Sequence, residues 1–251
     1  MTGSKRKNPF DAEKFRLAGA ESGTDKVLHH GYHRFYPQFL APLRQRKREF
    51  GIVEIGYGQG NSIIFWKSLF PSAHVYCLDR DVSLEGEGYT VLKVDQSDLG
   101  AMEKSMQSIL HSVPLIIDDG SHFPPHQLTS FSILFEELLE QGGVYIIEDI
   151  ETSYWNSGDI YGYPTRFGLY SPWSAVEILK HAVDYLNRNL LSQSDRNLVE
   201  YSMLIAGLSP QAVEAVSTLT FAQNCVIATK IIPEDKAYIE RPYHFSEMTA
   251  R

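Results

Sequence analysis

Cysteine is scarce in this chain: Cys77 and Cys225 are the only two in 251 residues. Two widely spaced cysteines form neither a disulfide framework nor a zinc-ligand pattern. Each sits in an apolar, strand-like run, so both read as reduced core residues. No apolar run approaches the roughly 18 residues needed to span a bilayer. No secretory leader pattern opens the chain, and the expectation is a cytoplasmic protein with no membrane partner. Positive charge is in deficit, with 23 Lys and Arg against 31 Asp and Glu and a net charge of −8. That balance argues against nucleic acid as the partner. The basic clusters Lys5-Arg6-Lys7 and Arg44 to Arg48 read as a tail and a solvated helix end. Internal repeats and low-complexity tracts are also missing.

What is present is an ordinary core-forming composition, 43 % hydrophobic, at a length that fits one large α/β domain. Residues 1–21 are polar and read as a mobile N-terminal tail, and residues 22–251 as a single domain. Asp25 to Arg48 carries Tyr32, Phe35, Tyr36, Phe39, Leu40 and Leu43 at helical spacing and reads as one leading helix. Strands and helices then alternate. Ile52 to Ile55, His74 to Leu78, Thr90 to Val94, Pro114 to Ile117 and Val144 to Ile147 read as strands. Ser62 to Phe70, Met102 to His111 and Leu128 to Leu139 read as helices, the last closed by Gly142-Gly143 as a C-cap. This order implies right-handed βαβ units and a parallel sheet with helices on both faces. Residues 151–173 have little periodicity and many aromatics. With the amphipathic helix Ser174 to Leu190 they read as a substrate lid over 151–190. Val213 to Phe221 and Cys225 to Ile231, joined by a short turn, read as an antiparallel pair.

The chemistry-bearing residues fall where strands end, which is where open α/β sheets bind ligands. The first turn is Gly56-Tyr57-Gly58-Gln59-Gly60. A dinucleotide fingerprint would need a glycine where Asn61 stands, and Gly-x-Gly-x-Gly is instead the S-adenosylmethionine form. Asp79 ends the second strand, where a carboxylate can accept from both ribose hydroxyls. Asp95 and Gln96 end the third, in reach of an adenine edge. The competing role for each acid is to cap a helix.

The fourth strand ends Asp118-Asp119-Gly120-Ser121-His122 and the fifth ends Glu148-Asp149. Neighbouring strands lie about 4.8 Å apart, so up to four carboxylates crowd one rim. Unpaired they would repel and take up protons; a divalent cation resolves the conflict. Oxygen ligands suit Mg²⁺, Mn²⁺ or Ca²⁺ rather than zinc. A hydroxyl on such a cation becomes a better acid, and His122 stands where it can take the proton. His126 reads as a supporting or surface residue.

Several runs together resemble the metal-dependent sugar O-methyltransferases, of which the mycinamicin-type macrolide enzymes are members. They are Ile117-Asp118-Asp119-Gly120-Ser121-His122, Ser130-Phe131, Leu134-Phe135, Gly142 to Asp149 and Thr152-Ser153-Tyr154-Trp155. Upstream, Thr24-Asp25-Lys26, His30, Tyr32, Tyr36, Val53-Glu54-Ile55-Gly56 and Trp66 to Pro71 extend the likeness, which covers roughly residues 22 to 231. The resemblance implies a class I methyltransferase, Rossmann-like fold: a seven-stranded, mostly parallel sheet whose last strand is antiparallel. It implies Mg²⁺ (or Mn²⁺) on Asp119, Glu148 and Asp149, with His122 as general base. It implies S-adenosylmethionine over Gly56, Gly58, Asp79, Asp95 and Gln96, a site we extend to Lys26, Tyr32, Glu54, Gly60 and Asp118. It also implies a homo-oligomer.

The expected reaction is in-line methyl transfer to a hydroxyl, with a sugar diol or other glycoside as the hydroxylated small-molecule acceptor. Tyr154, Trp155, Tyr161 and Arg166 of the lid are the candidate substrate contacts. Three alternatives stay open: a phenolic or catechol acceptor, a non-catalytic S-adenosylmethionine-binding module, and a metal-dependent hydrolase using the same acids.

Overall fold

Strand runs that are apolar on both sides need cover on both sides, and the sheet is built that way. The computed structural model describes residues 12–157, 159, 160, 163, 164 and 166–235, with backbone alone at 159, 160, 163 and 164. Its strands are β1 (Phe50–Ile55), β2 (Ala73–Asp79), β3 (Leu84–Gly86), β4 (Tyr89–Lys93), β5 (Val113–Asp118), β6 (Leu139–Glu148), β7 (Asp159–Ile160), β8 (Tyr163–Pro164), β9 (Val216–Ala222) and β10 (Cys225–Lys230). Eight of them form one sheet in the order β3-β4-β2-β1-β5-β6-β10-β9, and β7 and β8 pair separately. The five expected parallel strands are β4, β2, β1, β5 and β6. β10 runs antiparallel to both β6 and β9. These seven strands are the expected sheet; the eighth, β3, is a short antiparallel addition at the β4 edge.

Alternation along each strand divides the interior into two cores. Val53, Ile55, Ile116, Tyr145 and Ile147 face one side, where α5 (Leu99–Met106), α6 (Pro124–Glu137) and α7 (Ala175–Leu186) contribute Met102, Phe131, Phe135 and Ile178. Phe50, Ile52, Leu115, Ile117, Val144 and Ile146 face the other. There α1 (Ala12–Ser22), α3 (Tyr36–Leu40) and α4 (Asn61–Leu69) contribute Phe15, Tyr36, Phe65 and Trp66. Cys77 and Cys225 are buried and free in this second core. The remaining helices are α2 (Asp25–Leu28), α8 (Gln193–Ile205) and α9 (Pro210–Glu214). Among the described residues no helix is long and apolar enough to cross a membrane.

Four expectations are corrected. Residues 12–21, expected in the tail, are helix α1, whose Phe15 is 1 % exposed and meets Phe65 edge-on at 6.1 Å between ring centroids. Its buried face uses the small residues Ala18 and Gly19, so composition alone conceals the amphipathicity. The tail's residues 1–11 lie outside the described residues. The single helix over Asp25 to Arg48 is instead a chain of short turns, α2, Tyr32–Arg34, α3 and Ala41–Gln45. Pro37 and Pro42 cannot donate to a continuous ladder and disfavour helix in the residue before each. Gly142-Gly143 lie inside β6, not at a helix end. Pairing with β5 jumps from Val113↔Leu139 to Leu115↔Val144 there, a bulge in which Gly142 takes φ +73. Val213 belongs to α9, and its strand starts at Val216.

Because α1 closes the second core, Phe15→Ala should lower the free energy of unfolding by ~3–5 kcal/mol, the range for truncating a buried phenylalanine. Urea titration of the two proteins measures this. A loss below about 1 kcal/mol would make α1 peripheral.

Candidate active site

Parallel strands put all their carboxyl ends on one rim. Chain order reverses between β1 and β5, with β2 and β4 to one side and β6 to the other. A crevice opens at such a reversal. Two adjoining cavities occupy it, about 710 Å³ and about 380 Å³, and Gly56, Asp79 and Gly120 line both. The larger adds His30, Glu54, Gly58, Asp119, His122 and Asp149. The smaller adds Leu78, Val94, Asp95, Gln96 and Ser97.

Close backbone contact shapes the junction. Gly56 has φ +99, and a Cβ there would lie 2.4 Å from the Asp119 carbonyl oxygen, so only glycine fits between the β1 and β5 turns. Asp79 braces the glycine turn. Its Oδ2 accepts from Tyr57 N at 3.1 Å, and its Oδ1 accepts from Asp81 N and Val82 N at 2.9 and 3.0 Å. Asp95 accepts from the Ser97 hydroxyl and amide at 2.7 and 2.8 Å, which holds its carboxyl below the usual range. Gln96 joins two strand ends. Its Nε2 donates to both Asp118 oxygens at 2.9 and 3.0 Å, and its Oε1 accepts from Ser121 N at 2.8 Å. Burial pushes the Asp118 carboxyl up to about 7 against the Gln96 hydrogen bonds.

The expected crowding of acids is real, and its inner side is filled by Lys26. The ammonium is 1 % exposed and lies 2.5 Å from Asp119 Oδ2, 2.7 Å from Glu148 Oε2 and 2.9 Å from Glu54 Oε1. Burial pushes its pKa down, but Asp119, Glu148 and Glu54 outweigh this and hold it well above the usual lysine range. Tyr36 donates to Glu148 Oε1, so both Glu148 oxygens are engaged. Burial still raises the Glu148 and Glu54 carboxyls, with Lys26 opposing the rise. Asp149 Oδ1 accepts from Tyr32 Oη at 2.6 Å and Asn224 Nδ2 at 2.9 Å. Burial and the Asp119 charge raise its carboxyl.

Asp119, His122 and Asp149 each offer a ligand atom, all within 4.8 Å of one another. Hard cations hold oxygen at about 2.0–2.6 Å, so ligands on opposite sides stand about 4–5 Å apart; Asp119 and Asp149 are spaced to share one ion, with the His122 imidazole beside it. His122 Nε2 lies 4.0 Å from Asp149 Oδ2. His122 and Asp149 both adopt left-handed backbone, φ 55 and 53. Such conformations are costly for these residue types and gather at functional sites.

The expected residues thus separate. Glu54, Gly56, Gly58, Asp79, Asp95, Gln96, Asp119, His122 and Asp149 line the cavities. Lys26, Tyr32, Asp118 and Glu148 lie behind them, each at most 1 % exposed, and Gly60 starts α4 with its side buried against the Tyr57 ring. Tyr154, Trp155 and Arg166 are not among the described residues lining the two cavities. Tyr154 is 46 % exposed, and the Trp155 carbonyl accepts from Phe167 N and Gly168 N at 2.7 and 3.1 Å, which folds the loop back on itself. Tyr161 lies outside the described residues. Tyr36 and Asn224 hold site acids although the sequence assigned neither a role there. The only signals were the four-residue spacing of Tyr32 and Tyr36 and an asparagine in a hairpin turn.

Asp118 gives a pH test. Its folded pKa, about 7, exceeds the carboxylate value of 3.8, so the folded state holds the extra proton between them. Stability from this group is full below the unfolded value and is lost as pH rises through about 7. Asp118→Asn should therefore gain stability relative to the parent between pH 6 and pH 8. Equal pH slopes in denaturant titrations would contradict this.

No protein-family profile matches the chain. Its first 35 % identical relative, over 177 residues, is the 8-demethyl-8-alpha-L-rhamnosyl tetracenomycin-C 2'-O-methyltransferase of Streptomyces olivaceus, with 66 % of this chain and 43 % of the relative covered. The mycinamicin VI 2''-O-methyltransferase of Micromonospora griseorubida is 35 % identical over 133 residues, 49 % of this chain and 33 % of the relative. The chain therefore spans less than half the length of either. Among solved structures, the MycE methyltransferase of the mycinamycin pathway in complex with Mg and SAH superposes with a TM-score of 0.72 at 22 % identity, covering 95 % of this chain and 60 % of that one. The fold is that of a class I methyltransferase, and in sequence the chain resembles the sugar O-methyltransferases of macrolide and tetracenomycin glycosides.

Proposed function

We propose that the chain carries the catalytic machinery of an S-adenosylmethionine- and divalent-metal-dependent O-methyltransferase whose acceptor is a sugar hydroxyl of a glycosylated natural product. The observation that carries this reading is the wall of the larger cavity, where Asp119, Asp149 and His122 converge close to the Gly56 turn that it shares with the smaller cavity. The smaller cavity suits a nucleoside. Leu78 and Val94 offer apolar wall, Asp79 faces a ribose diol, and Asp95 and Gln96 face a base edge. Gly58 leaves room for the amino-acid end, since a Cβ there would meet nothing within 4 Å, and Gly56 lets the turn pass close to Asp119. Asp119 and Asp149 hold the cation, and Glu148, the third acid of the expected set, adds charge from behind.

Bound there, S-adenosylmethionine supplies an electrophilic methyl group, and the cation lowers the pKa of an acceptor hydroxyl that is otherwise near that of water, ~15.7. His122 would accept the acceptor's hydroxyl proton during the transfer. Asp149, 4.0 Å from the imidazole Nε2, favours the imidazolium that forms. The buried, unpaired thiols fit work in the cytoplasm, and the likeness to the sugar enzymes suggests a homo-oligomer.

Calorimetric titration with S-adenosylmethionine should give saturable binding. Methyl transfer to a rhamnosylated polyketide should need Mg²⁺ and stop with EDTA. No binding of S-adenosylmethionine would refute the reading and return the acids to a hydrolase or capping role. His122→Ala should lower kcat by about 10²–10⁴ on a sugar alcohol, the usual share of a general base. A loss below tenfold, with turnover of catechols, would point to a phenolic acceptor, whose hydroxyl is acidic without help.

A further inference from the structure

Lys26, Tyr32 and Tyr36 line neither cavity, yet their polar ends converge on Asp119 and Asp149, which do, and on Glu148 behind them. Tyr32 Oη engages Asp149 through Oδ1, at 2.6 Å, while Asp149 Oδ2 is the oxygen nearer His122. Lys26 engages Asp119 through Oδ2 alone, at 2.5 Å. Tyr36 works one step back: it holds Glu148 Oε1, and Glu148 Oε2 holds Lys26 at 2.7 Å. Asp119 and Asp149, the two cavity-lining acids of the candidate metal site, are thereby gripped from behind.

The grip is rigid. The Tyr32 and Tyr36 rings stack at 5.3 Å, and Tyr36 stacks on Trp66 at 6.4 Å. Trp66 Nε1 donates to Glu54 Oε2 at 2.8 Å, and Glu54 Oε1 returns to Lys26 at 2.9 Å. All five residues are at most 1 % exposed. One segment, residues 25–36, supplies both phenols and the ammonium. Packing alone would be met as well by phenylalanine, so the hydroxyls need another reason.

We propose that Lys26, Tyr32 and Tyr36 are positioning residues for the divalent cation, an inference that rests on the metal reading above: they fix one oxygen each of Asp119 and Asp149 so that the ion meets ligands already in place. Groups that orient metal ligands typically contribute 10–100-fold to affinity. Tyr32 acts directly on Asp149, whereas Tyr36 acts through Glu148 and Lys26, so their effects should be graded.

The test is Mn²⁺ binding to the purified full chain, followed by electron paramagnetic resonance of free Mn²⁺ and checked by Mg²⁺ competition. Tyr32→Phe should weaken Mn²⁺ about tenfold or more, and Tyr36→Phe by about two- to fivefold. Both keep the ring stack, so both carry the test even where Lys26→Met fails to fold. Lys26→Met, where it folds, should weaken Mn²⁺ at least as much as Tyr32→Phe, with partial return in Lys26→Arg. A purely structural role would lower the metal-free melting temperature and leave Mn²⁺ affinity intact. Unchanged or tighter Mn²⁺ binding in Tyr32→Phe overturns the proposal while the metal reading stands. Failure of the parent protein to bind Mn²⁺ removes the metal reading, and this role with it.

Discussion

The Lys26 ammonium lies among Asp119, Glu148 and Glu54 with 1 % of its side chain exposed, and the local architecture answers to that contact. Parallel strands bring Glu54, Asp118, Asp119, Glu148 and Asp149 to one rim, and four of these are at most 6 % exposed. A buried carboxylate without partners is driven to protonate, and a buried ion pair that loses one member leaves several kcal/mol of uncompensated desolvation. The leading segment therefore has to reach the rim and stay there. Its broken course through α2, a 3₁₀ turn and α3 lets Lys26, Tyr32 and Tyr36 all point inward, which one straight helix over the same residues could not arrange.

The rim also explains the backbone. Gly56 lies so close to the Asp119 carbonyl that a side chain is excluded. His122 and Asp149 sit in left-handed conformations that ordinary strand-to-helix turns do not need. Each strained residue is tied down by a neighbour. Thr152 Oγ1 donates to the His122 carbonyl at 2.5 Å, and Gln127 Nε2 donates to the Glu148 carbonyl at 3.1 Å, next to Asp149. Strain held this way keeps His122 and Asp149 facing the same cavity instead of relaxing into regular turns.

Much of this was legible in the sequence because it depends on local pattern. The strands declare themselves as short apolar runs, and each run ends in the residue type that the rim requires. Asp79, Asp95, Asp119, His122 and Asp149 could therefore be placed without coordinates. Two kinds of feature were hidden. Small-residue packing conceals an interface, as at α1, where Ala18 and Gly19 do the burying. Long-range pairing conceals a role, as with Lys26, which stands in a polar stretch and meets partners 93 and 122 positions away. The two prolines that interrupt the leading segment were visible, but the helical spacing of its aromatics outweighed them. The aromatics of the loop after Ile150 suggested substrate contact; Tyr154 is 46 % exposed, and the Trp155 backbone carbonyl fastens the loop to itself.

A division of labour follows from where the site's parts come from. The acids belong to strands, whose positions the two cores fix. The donors that hold Asp119, Glu148 and Asp149 belong to the leading segment and to the β9–β10 turn, through Asn224. Carboxylates on a rigid sheet repel one another and cannot relax apart, so their orientation must be imposed from outside the sheet. An ammonium does this with one buried charge, and phenols do it without adding charge. Burial and the adjacent carboxylates push both phenols further from ionisation, which favours Tyr32 and Tyr36 as neutral donors. The chain thus meets a charge problem with a single counter-charge and neutral hydrogen bonds, leaving the cavity side of Asp119 and Asp149 for the divalent ion proposed above.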